Sequence, residues 1–147
     1  MTGAFRDALA ACTVLNLAYA DADGPQVCAV FFAPAPDGGL VFVSSRETRH
    51  GRHLASDPGG VPVAFTVQAD DQDWRTLRGV QGRGLCRRLT GADLDAARAA
   101  YAARFPFAAD DAGPARALAA ADHWGVRPAW LRLIDNSRGF GHKTEWP

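Results

Sequence analysis

From Thr13 to Leu89, short apolar segments follow one another across links too brief to hold a crossover helix. This spacing constrains the fold more than any other feature. Thr13–Ala20 alternates, with Leu15, Leu17 and Tyr19 on one side, as a half-buried strand does. Asp23-Gly24-Pro25 is a turn signal. Gln26–Ala33 is apolar almost throughout, which predicts a strand covered on both faces. Pro34 to Gly39 reads as a hairpin loop, Leu40–Ser44 as a third strand and Val61–Gln68 (VPVAFTVQ) as a fourth. After an acidic turn of Asp70, Asp71 and Asp73, Trp74–Leu89 reads as a long strand broken by Gly79, Gly82 and Gly84. Such glycines mark a bulge, a barrel bend or a close approach to backbone. Parallel neighbours need a connection of a dozen or more residues. Here the links are hairpin-sized, or in one case a short helix. The pattern therefore predicts an antiparallel sheet closed into a barrel, with helices segregated late in the chain.

The flanking segments complete a single domain over residues 1–147. Thr2 to about Cys12 predicts a helix, with Phe5, Leu9 and Cys12 on one face. Thr90 opens another, with Asp93 completing a capping box and Leu94, Ala97, Tyr101 and Phe105 as its buried stripe up to Pro106. Pro114 suits the first turn of a further helix, ended by Gly125 near Trp124. Ala129–Ile134 reads as the last strand, Asp135–His142 as a loop and Lys143–Pro147 as a short tail. The expected class is mainly β: a six-stranded antiparallel barrel with three to four helices.

Charge and motifs exclude several functions. Net charge is zero, so no bulk attraction to nucleic acid or to a membrane surface is expected. No stretch approaches the roughly 20 apolar residues of a membrane span, and no basic leader precedes an apolar run. Cys12, Cys28 and Cys86 are distant and odd in number, which favours small buried hydrophobes in a reducing cytoplasm over a disulfide framework. Phosphate-loop, dinucleotide-fingerprint, zinc-protease and serine-elbow motifs are absent. His50 and His53 are at i, i+3, but no carboxylate or cysteine accompanies them at ligand spacing, so no metal site is assigned. Trp74, Trp124, Trp130 and Trp146 suit core or interface positions.

One stretch carries chemistry. Val41–Pro58, VFVSSRETRHGRHLASDP, runs from a strand into Ser44 and Ser45, then into a short basic helix with Arg49, His50, Arg52 and His53. Hydroxyls at a strand end, helix-start amides and clustered cations are what a phosphate needs. The same residues also suit a solvated basic helix with a serine cap.

This stretch resembles the phosphate-binding segment of the pyridoxamine-5′-phosphate-oxidase-like split barrels. There an apolar strand, Ser or Thr, a turn, Ser/Thr-Arg-Lys and Gly-Arg-x-Leu-Ala-x-x-Pro follow in order. Ser44, Thr48-Arg49-His50, Gly51-Arg52-His53-Leu54-Ala55 and Pro58 match that order here. Leu77–Leu89 looks like the fifth strand of the same superfamily. A narrower similarity, to the uncharacterised bacterial YhbP-like group, rests on RGVQ at 78–81, Ala100-Tyr101, Arg104-Phe105-Pro106, Asp135-Asn136, Gly139-Phe140-Gly141, Lys143 and Trp146.

The resemblance implies an FMN-binding homodimer with a cofactor pocket at each end of the interface and a two-electron redox step on an unknown small molecule. It implies that Ser44, Ser45, Arg49 and His50 hold the phosphate and that Val43 belongs to the cofactor-binding set. Backbone of Ala29, Val30 and Phe31 and of Gly79, Val80 and Gln81 would flank the flavin ring, Gln81 donating to it. The loop holding Asn136 and Phe140, from the second protomer, would close the site. The deazaflavin F420 or haem on the same fold is the alternative cofactor, and a non-catalytic binding or sensing protein the alternative role. Cys28 and Ala33 stand where the oxidases have basic residues, and His50 replaces their lysine. Pyridoxamine oxidation is therefore not implied.

Overall fold

A computed structural model describes residues 1–108, 116, 118 and 120–147. Its sheet has seven antiparallel strands: β1 (Val14–Asp21), β2 (Gly24–Pro34), β3 (Leu40–Ser44), β4 (Val61–Gln68), β5 (Arg78–Arg88), β6 (Asp122–Asp135) and β7 (Lys143–Trp146). They lie in the order β3-β2-β1-β4-β5-β6-β7, with a further pairing of β3 to β6. That pairing, Leu40↔Val126 to Ser44↔Asp122, closes six strands into the expected barrel. The seventh strand adds to the far half of β6, Leu131↔Trp146 to Ile134↔Lys143. One edge of β6 thus pairs β3 early and β7 late, which splits the barrel.

The helices include α1 (Gly3–Ala10), α2 (Arg49–Leu54) and α3 (Gly91–Arg104). β1 starts beside α1 and ends at Asp21, which pairs with Arg49 of α2. Helices α1 and α2 therefore close opposite ends of the barrel, α1 burying Phe5 and Leu9 and α2 burying Leu54. α3 lies outside, on β2, β3 and β6. Inside, β4 alternates strictly between buried and exposed residues, and Trp124, Phe32, Phe42 and Leu131 are fully buried. Each such side chain contributes about 1.5–3 kcal/mol of apolar transfer.

Several expectations are corrected. The tail is a strand, β7, held by an Arg132–Glu145 ion pair across the rungs. Trp124 and Gly125 lie inside β6, not at a helix end, because β3 and β5 pair with this segment on both edges. Pro114, expected to open that helix, lies outside the described residues. Trp74 to Leu77 form a turn before β5, where the Asp73 carboxylate accepts from Arg75 N–H. Thr90 makes no side-chain cap, and Asp93, the other half of the expected capping box, accepts from Arg87 at 2.5 Å. β2 is not covered on both faces: Val27 is 71% and Phe31 51% exposed.

Candidate functional site

The end of β3 gathers the polar side chains that the sequence singled out. Phe42 points into the core, so two residues on Ser44 faces the same side, at the barrel mouth that α2 covers. Ser44 Oγ lies 2.6 Å from His50 Nε2 and 3.4 Å from Thr48 Oγ1. Thr48 Oγ1 accepts from Gly51 N–H (3.0 Å), capping α2, and donates to Ser45 O (2.8 Å). The cap is this threonine, not a serine. The loop presses so closely on the helix that a Cβ at Gly51 would sit 2.2 Å from Ser45 O. Buried Trp124 donates Nε1–H to Ser44 O (3.0 Å), fixing the strand end from the core side.

The cations are engaged. Arg46 grips Asp122 with Nε and Nη2 (2.8 and 3.0 Å), and Arg88 reaches the same carboxylate. Arg52 donates to Glu47 O at 2.5 Å. Arg49 binds Asp21 through Nε (2.9 Å) and Nη2 (3.2 Å), and Asp23 through Nη2 (2.6 Å). Sequence reading assigned the Asp23 region to a turn and missed that it neutralises Arg49. Asp21 and Arg49 are 28 positions apart, and no local pattern links them.

His50 and His53 diverge. His50 turns to Ser44, while His53 stacks on Tyr19, ring centroids 4.8 Å apart. Burial pushes His50 below its ordinary 6.5, and burial followed by the Arg98 charge does the same to His123. The sign follows from proton binding. The unfolded chain takes up more protons between the folded and unfolded values, so stability is full above pH 6.5 and is lost as pH falls through that window. Urea midpoints should therefore drop between about pH 7.5 and about pH 5.5, and less in His50→Gln. A flat profile would contradict burial of these rings. Asp21, Asp135 and Glu145, held low by hydrogen bonds, act only at more acid pH. Burial drives the Cys86 thiol up to about 12 and raises Cys28, so both stay protonated.

The remaining candidates fall into two further groups. Ala29 and Phe31 are exposed on the outer face of β2, with Val30 turned inward, and the β2–β3 register runs them toward Val43 and Ser44. Gly79, Val80 and Gln81 lie at the start of β5, beside the Asn136 turn. Asn136 ties that turn together, donating Nδ2–H to Trp74 O (2.6 Å) and accepting from Gly141 N–H (2.9 Å). Phe140 is exposed, edge-on to Trp74 at 6.0 Å, and Arg75 stacks on the same indole. β6 begins beside Ser44 and ends at Asp135, so this group sits at the opposite end of the barrel from Ser44 and His50. One chain does not unite the two groups.

No family model matches the chain. It is 34% identical over 118 residues to UPF0306 protein YhbP of Salmonella schwarzengrund, covering 80% of this chain and 73% of that protein. The chain belongs to the UPF0306 family. Among solved structures, a heme binding protein from Mycobacterium smegmatis is 26% identical at a TM-score of 0.72, over 95% of this UPF0306 chain and 55% of that one. An FAD binding protein from the same organism is 17% identical at a TM-score of 0.67, over 100% of this chain and 98% of that one. The UPF0306 fold is thus a split barrel of the pyridoxamine-5′-phosphate-oxidase-like type, whose structural neighbours include heme- and FAD-binding proteins.

Proposed function

We propose that the chain binds FMN as a homodimer and presents it to a small-molecule substrate for two-electron redox chemistry. The observation that carries this is the Ser44–Thr48–His50 cluster at the mouth of a barrel whose structural neighbours bind flavin or heme. The donor set suits a phosphate. Two hydroxyls and an imidazole converge there, and Arg49 stands next to His50 on α2. Asp21 holds the side edge of Arg49, Nε and Nη2, while neither carboxylate bonds Nη1. Arg49 can turn its end edge to phosphate oxygens if Asp23, the more exposed carboxylate, gives way. When bound, FMN supplies the electron chemistry; the protein supplies orientation and hydrogen bonding. Gln81 and the Asn136–Phe140 turn lie at the other barrel end, so they reach the ring only from a second copy. The three free thiols suit a reducing cytoplasm.

The spectrum and mass of whatever co-purifies test the cofactor directly. A flavin spectrum with the mass of FMN is expected. A Soret band would move the reading to haem, which the 26% identical heme-binding neighbour favours as the second choice. Arg49→Ala should weaken FMN about tenfold, the loss of one charge-assisted hydrogen bond. Asp23→Asn should tighten it severalfold by removing the competing carboxylate. Riboflavin, which lacks the phosphate, should respond to neither change. Equal responses of FMN and riboflavin, read by flavin fluorescence, would assign Arg49 to the fold instead.

A further inference from the structure

Beneath α3, on the side of β3 away from Ser44, lies a cavity of about 220 Å³. Its walls include Val43, Ala102 and Ala108, and three polar side chains reach it: Arg98, Tyr101 and His123. His123 follows Asp122 at the start of β6, its backbone paired with Val43. Because Trp124 turns into the core, His123 turns outward, under the helix, with its ring edge-on to Tyr101 at 6.3 Å. His123 is only 8% exposed, and its Nδ1 is buried without a hydrogen-bond partner among the described residues.

A buried ring nitrogen with no partner is costly, and native proteins rarely keep one. Arg78 and Arg104 also bury an unpartnered Nε, but each satisfies its guanidinium through Nη2 on a backbone carbonyl. For His123, burial first and then the nearby Arg98 charge favour the neutral ring, whose Nδ1 is either a donor or an acceptor according to the tautomer. Asp122, its neighbour in sequence, is occupied by Arg46 and Arg88. Arg98 is the one charged side chain in the described lining, and no carboxylate joins it. The volume corresponds to about seven waters at about 30 Å³ each, room for one compact organic molecule.

We infer that this cavity is a binding site for a small monocarboxylate with an apolar body. Its carboxylate pairs with Arg98 at the rim, its body lies against Val43, Ala102 and Ala108, and its second polar contact is the His123 ring. The inference stands whether or not FMN binds at Ser44.

Benzoate is the probe, and benzyl alcohol its uncharged counterpart, on the full chain. Millimolar benzoate should shift the His123 side-chain nitrogen resonances and leave those of His142 unmoved. Arg98→Met, a substitution on the exposed face of α3, should weaken benzoate by about tenfold or more and leave benzyl alcohol unchanged. His123→Gln, which keeps a hydrogen-bonding side chain, should retain more benzoate affinity than His123→Leu. Unmoved His123 resonances would overturn the site, as would equal benzoate affinity in wild type and Arg98→Met. Should His123→Leu fail to fold, the Arg98→Met comparison decides alone.

Discussion

Gly84→Ala should cost about 3 kcal/mol of stability and lower the thermal midpoint by roughly 6–12 °C. The reason is local. β5 and β6 change register between Arg83 and Gly84, where Arg83 pairs Trp130 and Gly84 pairs Pro128. At that bulge the backbones come so close that a Cβ on Gly84 would sit 2.1 Å from Arg127 O and 2.8 Å from its carbonyl carbon. Backbone held on both sides of a closed barrel cannot move aside cheaply. Gly82 makes a contrasting case two residues earlier. A Cβ there would meet the Phe65 ring, 2.2 Å from Cζ, across the β4–β5 rung. A side chain can be trimmed. Gly82→Ala should also destabilise, but Phe65→Leu should recover part of that loss, so the double variant melts above Gly82→Ala alone. No side-chain change should recover Gly84→Ala in the same way. Calorimetry on the four variants checks both statements. An unchanged midpoint in Gly84→Ala would mean that the β5–β6 bulge relaxes freely.

These glycines also show how much of the molecule was legible in the chain. The interruption of Trp74–Leu89 by Gly79, Gly82 and Gly84 announced a bend or a close approach, and the structure has both. Strict alternation in VPVAFTVQ located β4 to the residue, because a strand with one buried face writes its period directly into the sequence. The start of β6 was not legible. Its His-Trp-Gly-Val-Arg-Pro run has no clean period and holds a glycine and a proline. It is a strand because β3 and β5 satisfy its backbone from both edges, a tertiary effect with no local signature. β7 was missed for a similar reason: four residues with little burial hold only through pairing with β6.

The candidate site divides along the same line. Ser44, Thr48 and His50 lie within seven residues, so their meeting followed from a strand, a turn and one helical cap. The carboxylates that engage Arg49 and Arg46 come from the β1–β2 turn and from β6. Charge partners from distant strands leave no spacing to read. The two-ended distribution of the remaining candidates was equally hidden, because it depends on strand direction around the closed barrel.

Val27→Asp should turn a dimer into a monomer, and this tests the assembly on which the proposed cofactor site depends. The outer face of β2, β1 and β4 carries an apolar patch, beside the Asn16–Thr66 hydrogen bond, that no described residue covers except where Phe105 packs on Phe31. Across the rungs, Val27 lies beside Ala18 and Ala18 beside Ala64, with Pro25, Ala29 and Phe31 along the same side of β2. An apolar sheet face of this kind is rarely left to water. A two-fold contact buries the same patch twice, so one substitution acts twice. A carboxylate at position 27 would be buried without a partner on each side of the axis. That costs several kcal/mol per ion, enough to weaken association by at least about a hundredfold. Light scattering should report twice the 15.6 kDa chain mass for wild type at micromolar concentration and the single mass for Val27→Asp. Ser56→Asp, on the exposed loop after α2, carries the same added charge and should remain dimeric. FMN affinity should fall with the dimer, since Gln81 and the Asn136–Phe140 turn then no longer reach the pocket at Ser44. A Val27→Asp protein that stays dimeric would place the interface elsewhere. One that becomes monomeric yet keeps full FMN affinity would confine the cofactor site to a single chain.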